Sequence, residues 1–197
     1  MVDTNIDFYA EANSDSDGSL YNGYNTIRGQ AFAYGGAGET LDKAKFYLKK
    51  TGSPTGNATA VLYACTGTPG TTGDMTGAVL ATSGTFDVST LTTSYQLIEF
   101  TFASPYTLAA STNYCLGVEY TGGTSTNHVE AGYDGSSPSH AGNYFSSAGP
   151  VSGRDAIFYA IHTVTGWVAG KFMGVANASI SKIDGVLKTS IAKVNGI

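Results

Sequence analysis

Apolar and polar residues alternate in short runs along most of this chain, and glycine-rich turns separate the runs. Between Ile27 and Tyr34, the residues Ile27, Gly29, Ala31 and Ala33 fall on one side, and Arg28, Gln30, Phe32 and Tyr34 on the other. Between Leu41 and Lys49, the apolar series Ala44, Phe46 and Leu48 opposes Lys43, Lys45, Tyr47 and Lys49, which predicts a half-buried strand with a basic outer face. A period of two is what an extended chain produces, because successive side chains leave opposite faces of the pleat. Runs of the same kind predict strands over residues 6–10, 58–64, 79–86, 96–102, 114–120 and 156–164, with shorter pieces at 105–108, 129–133 and 144–145. The polar stretches between them read as loops, chiefly 13–24, 51–56, 66–77 and much of 121–153. Strands at this spacing, with turn residues between them and no amphipathic helix of normal length, predict an all-β chain folded as an antiparallel, jelly-roll-like β-sandwich.

The end of the chain departs from this pattern. VANASISKIDG at 175–185 is answered by VLKTSIAKVNG at 186–196, one copy directly after the other. Ile180, Ile183, Leu187, Ile191 and Val194 carry the apolar positions, at a spacing that also fits a helical stripe. Gly185 and Gly196 oppose a helix by about 1 kcal/mol each. Asp184-Gly185 and Asn195-Gly196 are preferred two-residue hairpin turns, so extended segments joined by tight turns are expected ahead of the helix. A lone hairpin is marginal in water. The segment therefore has to pack on its own sandwich, on a second copy or on a larger assembly. Trp167 and Phe172, among Gly166, Gly170 and Gly174, form a junction with aromatic anchors. The expected division is a sandwich domain over 1–166 and a short C-terminal attachment tail over 167–197.

Charge sharpens that division. The chain has 10 basic and 15 acidic side chains and a net charge of −5. From Lys171 onward there are four lysines and one acid, Asp184, which leaves six basic and fourteen acidic residues, or −8, for the part before it. A body this acidic makes no phosphate-gripping face, which excludes nucleic acid as a partner. The lysines of the tail suit solvation or an acidic partner. The N-terminal residues MVDTNIDFYAEANSDSDGS hold neither a basic region nor an apolar run, so no signal peptide is expected. No run approaches the ~18 apolar residues of a membrane span. Cys65 and Cys115 both lie in apolar strand-like runs, where buried free thiols are the leading expectation and a cross-strand disulfide the alternative.

The stretches AFAYGGAGETLDKAKFYLKKTGSPTGNATAVLYA, GAVLATSGTFDVSTLTTSYQLIEFTF and PYTLAASTNYCLGVEY resemble a jelly-roll β-sandwich module of bacterial surface proteins and phage virion proteins, related in shape to carbohydrate-binding modules. The resemblance covers about residues 27–165. The tail is similar to the short repeated units that end phage structural proteins. The resemblance implies a non-enzymatic structural role in a phage virion, as a decoration, head or tail appendage. The tail would dock on the particle or a neighbouring subunit, the copies would form a homo-oligomer, and the protein would be located in the virion after assembly in the host cytoplasm. It also implies the alternative, a carbohydrate-binding module of a secreted or cell-surface protein.

Catalytic chemistry finds little support. His128, His140 and His162 lie in no metal-binding spacing, and no GxSxG elbow, phosphate-binding loop or CxxC pair is present. His162 is expected to be structural, and His128 and His140 to lie on the surface. Glu99, Glu119 and Glu130 stand in or beside ordinary strands without a surrounding motif. The run Asn13-Ser14-Asp15-Ser16-Asp17-Gly18 matches the first half of a calcium loop, with Asn13, Asp15 and Asp17 as ligands. Tyr24 stands where the closing acid belongs, and a solvated polar turn explains the run equally well. The remaining candidates are Tyr21, Tyr24, Tyr133 and Tyr144, in loop-like surroundings rich in Gly and Asn. Aromatic faces of that kind suit a sugar ring or a protein interface, and equally a structural role.

Overall fold

The computed structural model describes residues 1–164 in full and, beyond them, the backbone of four two-residue strands. In chain order the strands are β1 (Val2–Tyr9), β2 (Ser16–Leu20), β3 (Ile27–Tyr34), β4 (Thr40–Thr51), β5 (Asn57–Thr66), β6 (Asp74–Thr82) and β7 (Phe86–Asp87). There follow β8 (Gln96–Thr107), β9 (Thr112–Glu119), β10 (His128–Asp134), β11 (Asn143–Ser146), β12 (Gly149–Val151), β13 (Asp155–Ala156) and β14 (Phe158–Val164). Two single 3-10 turns, Glu11–Asn13 and Val88–Thr90, interrupt them, and the described residues include no α-helix.

These strands form two antiparallel seven-stranded sheets packed face to face, which is the expected β-sandwich. One sheet runs β1-β14-β4-β10-β13, with β2 on β10 and β8 on β4. The other runs β12-β11-β3-β9-β5-β6, with β7 on β5. The chain changes sheet at β2/β3, β3/β4, β4/β5, β7/β8, β8/β9, β9/β10, β10/β11 and β12/β13, the alternation that a jelly-roll-like sandwich requires. β10 pairs with β4 over His128 to Ala131 and with β13 over Tyr133 and Asp134, so the closing segment takes over where β4 and β10 part.

Alternation fills the space between the sheets. Phe32 and Tyr34 from β3, Ala44, Phe46 and Leu48 from β4, Phe100 and Phe102 from β8, and Tyr114, Leu116 and Val118 from β9 all enter one buried cluster. Each such aromatic or branched side chain contributes on the order of 1.5–3 kcal/mol by leaving water. A smaller cluster of Ile27, Ala31, Val61, Cys115 and Phe145 covers the opposite face of the second sheet. Both cysteines are free thiols; Cys115 is buried as expected, while Cys65 is only half-buried and donates to the Thr66 carbonyl. The outer face of β4 is basic as expected and is neutralised across strands, with Lys43 and Lys45 on Glu99 and Lys49 on Asp17 and Glu130.

Four expectations need correction. Residues 13–24 are not all loop: β2 pairs with β10 from Ser16↔Tyr133 to Leu20↔Val129. Its inward positions are Gly18 and Leu20, so a single apolar side chain marks its buried face and alternation is invisible. Residues 66–77 end in the start of β6, a largely exposed strand without an apolar face to reveal it. The run 79–86 is two strands, because β6 stops at Thr82 and β7 pairs separately with β5. Residues 105–108 are no separate piece, since β8 continues through Pro105 to Thr107. Among the described residues β8 pairs only with β4, and an edge strand tolerates the missing proline N–H.

Residues 5–162 form one compact unit, and 1–4 with 163–197 another. In the second unit, β15 (Lys171–Phe172) pairs with β16 (Val175–Ala176), and β17 (Lys182–Ile183) with β18 (Val186–Leu187). The register Ile183↔Val186 leaves Asp184 and Gly185 between the paired positions, as the expected hairpin demands. Trp167, Ile180, Ile191 and Val194 and the side chains of Phe172, Ile183 and Leu187 lie outside what the structure describes.

Candidate functional site

The inward face of β3 changes character along its length. Phe32 and Tyr34 enter the apolar core, but Arg28 and Gln30 occupy the same face four and two positions before Phe32. Both are buried, Arg28 at 7% exposure and Gln30 at 0%. One end of the sandwich interior is therefore polar, and each polar group there has to find a partner.

Gln30 finds its partners on β13. Its amide nitrogen donates to Asp155 Oδ1 (2.7 Å), and its carbonyl accepts from the Ala156 N–H (2.8 Å). The other Asp155 oxygen accepts from the His140 N–H (2.9 Å). Burial pushes the Asp155 carboxyl above its usual value, with Gln30 and His140 opposing that shift. Tyr9 donates to Asp134 (2.7 Å), and His140 Nε2 lies 3.0 Å from Asp7. The buried Gln30 amide and Asp155 carboxylate thus have partners from three separate stretches of chain.

Arg28 is held differently. Its Nε donates to the Ser19 carbonyl (2.9 Å) and one terminal nitrogen to the Tyr144 hydroxyl. Register explains the placement: β3 and β11 pair Gln30 with Tyr144 and Arg28 with Ser146, so Tyr144 and Ser146 share the inward face with Arg28. Tyr144 is 1% exposed; burial raises its hydroxyl pKa, and the neighbouring guanidinium opposes the rise. Gly18 on β2 makes room for the arrangement, since a Cβ there would stand 2.6 Å from the Arg28 terminal nitrogen and 2.8 Å from the Tyr144 oxygen.

Above this pair lies a cavity of about 290 Å³ lined by β2 (Asp17, Gly18, Ser19), the Tyr24–Asn25 loop, Arg28, Tyr133, Tyr144, Ser146, Val151 and Arg154. The Arg28 guanidinium sits 5.8 Å from the Tyr24 ring centroid and 5.7 Å from that of Tyr144. Arg154 stands over Tyr133 at 5.1 Å, and the Tyr133 and Tyr144 rings are 5.2 Å apart. Tyr24 is 58% exposed and stacks on Tyr21 at 5.2 Å. The cavity thus has aromatic walls, an arginine at its base and another at its rim.

Of the sequence candidates, Tyr24, Tyr133 and Tyr144 converge on this cavity; Tyr21 stands behind Tyr24 as its stacking partner and lies 5.6 Å from His128. The calcium candidates are engaged separately. Asn13 donates to Ala10, Asp15 accepts from the Gly135 and Ser136 N–H groups, and Asp17 holds Lys49 at 2.9 Å. Among the described residues no group of three His, Cys, Asp or Glu side chains is placed to hold a metal. His128 and His140 are not on the surface as expected: His128 is buried beside Glu130, and His140 is hydrogen-bonded to Asp7, Gln30 and the Gly142 N–H. Their polar sequence surroundings hide this because polar side chains bury well when every group finds a partner. His162, by contrast, makes the structural contacts expected of it, to Thr40 and Asp42.

The sequence reading places Arg28 only in an alternating strand and Gly18 only at the end of the calcium-like run, and it passes over Arg154. The signal for Arg28 was present, since it shares the alternating face of Phe32 and Tyr34, and a charge on a core face demands an explanation. Arg154 and Gly18 carry no such local signal. Among the described residues no helix is long and apolar enough to cross a membrane. No family model, curated protein or solved structure matches the chain.

Proposed function

We propose that the protein is a non-enzymatic glycan-binding β-sandwich, displayed on a larger assembly to which its C-terminal repeat segment attaches it. The observation that carries the reading is the cavity between β2, β3 and β11, where Tyr24, Tyr133 and Tyr144 meet Arg28, Asn25 and Ser146. Sugars present apolar C–H faces that stack on aromatic rings and hydroxyls that need fixed polar partners, and this lining supplies both. At about 290 Å³ the space suits one sugar ring of a longer chain, at the low end of ordinary ligand pockets of roughly 300–1,000 Å³.

The assembly in this reading is a phage virion, as the resemblance of the sequence implies, and the attaching residues are those of the repeat, 175–196. The acidic body and lysine-bearing tail support a division of labour between display and docking. The test is a glycan array probed with the full chain and with Tyr24→Ala and Tyr133→Ala. Specific binding that both variants weaken supports the reading. Binding to no glycan, or binding that both variants leave intact, overturns it.

A further inference from the structure

We infer that the cavity takes an acidic sugar, one carrying a carboxylate, and that Arg28 is the group that reads the charge. This inference rests on the glycan reading above and narrows it to a ligand class.

Arg28 is more than nine-tenths buried and forms no ion pair with a carboxylate among the described residues. The two hydrogen bonds it makes go to neutral oxygens, the Ser19 carbonyl and the Tyr144 hydroxyl. Its second terminal nitrogen makes no hydrogen bond with any described residue, and the side chain lines the cavity. A buried guanidinium without a counter-ion is costly, and a neutral ligand would leave it so. A carboxylate entering the cavity supplies the missing charge, and its planar pair of oxygens matches the donor geometry of a guanidinium.

The other charges around the cavity support this. Arg154 adds a second cation at the rim, over the Tyr133 ring. Among the described residues Asp17 is the one carboxylate in the lining, and it is turned to Lys49, which also holds Glu130 at 2.7 Å. The lining therefore carries an excess of positive charge inside an acidic body. Three tyrosine rings argue against a bare inorganic anion, because they offer apolar contact that only a ring-bearing ligand uses.

The experiment measures binding of the full chain to sialyllactose and to a glucuronic-acid oligosaccharide. Each is compared with its carboxyl methyl ester, and lactose and a sulfated lactose complete the set. The acids are expected to bind at least roughly tenfold tighter than their esters, as the loss of a charge-assisted pair implies. Arg154→Met, at an exposed position, is expected to weaken acid binding several-fold without changing the fold. Arg28→Lys is expected to keep the charge but lose most of the preference for acid over ester. Equal affinity for acid and ester, or preference for the sulfated sugar, overturns the acidic-sugar inference and leaves the glycan reading standing. Binding to none of the six probes overturns the acidic-sugar inference, and the glycan array then decides the glycan reading by itself.

Discussion

Gly18 shows how much of the cavity depends on one absent methyl group. It lies on β2 opposite Ala131, facing inward, and the space its side chain would take is filled by the Arg28 guanidinium and the Tyr144 hydroxyl. An arginine end group can ordinarily yield to a methyl group, but this one is fixed by Ser19 and Tyr144 in the interior. Gly18→Ala is therefore expected to destabilise by about 1–3 kcal/mol, as overpacking of a filled interior does. It is also expected to abolish glycan binding by displacing Arg28, while leaving the far end of the core around Phe32 and Phe100 unchanged. Urea unfolding and the glycan array, run on the same preparation, check this; a variant of full stability and full affinity would show that the guanidinium has room to move. At this scale the sequence was partly legible. Tyr24, Tyr133 and Tyr144 are marked by their surroundings, but glycine leaves no trace of what fills its space, and the partner of Arg28 is set by register between distant strands.

The strands follow the same logic. Where one face is apolar, as in β3, β4 and β9, alternation marks the element because burial itself selects the period. Where burial is slight, as in β6, or carried by Gly18 and Leu20 alone, as in β2, the chain is extended because partners hold it, and no pattern records that. One of those holds is Asp15, just before β2. Its carboxylate accepts from the N–H groups of Gly135 and Ser136, joining the entry of β2 to the exit of β10, the strand that bears Tyr133. The Ser136 hydroxyl and these backbone groups lower its pKa from 3.8 to about 2. A depressed carboxyl pKa stabilises the fold above the unfolded value, and the contribution is lost as pH falls through the folded one. Asp15→Asn is thus expected to lower the urea midpoint near neutral pH. The gap to the parent should close on acidification between pH 3.8 and about 2. A gap that stays constant through that window would show that the carboxylate charge contributes nothing and that the turn is held by shape alone.

At the scale of the molecule, every described residue of the two hydrophobic clusters lies between Ile6 and Ala160. Among the described residues the two ribbons of the C-terminal unit pair over two residues each, and a two-stranded ribbon alone is marginal in water. The sequence repeat predicted the Ile183↔Val186 pairing because an Asp-Gly step between apolar residues is a local instruction, readable without the rest of the fold. What a docking repeat would contact is set by distant surfaces, which no local pattern encodes. A chain ending at Gly166 separates the choices. If the repeat is an attachment arm, the shortened protein should keep the melting temperature and glycan affinity of the full chain. It should also lose higher-mass species in light scattering and fail to sediment with phage particles that retain the full chain. A fall in melting temperature with unchanged mass would mean that the repeat covers its own sandwich. Unchanged mass together with unchanged particle binding would remove the repeat from the docking role altogether.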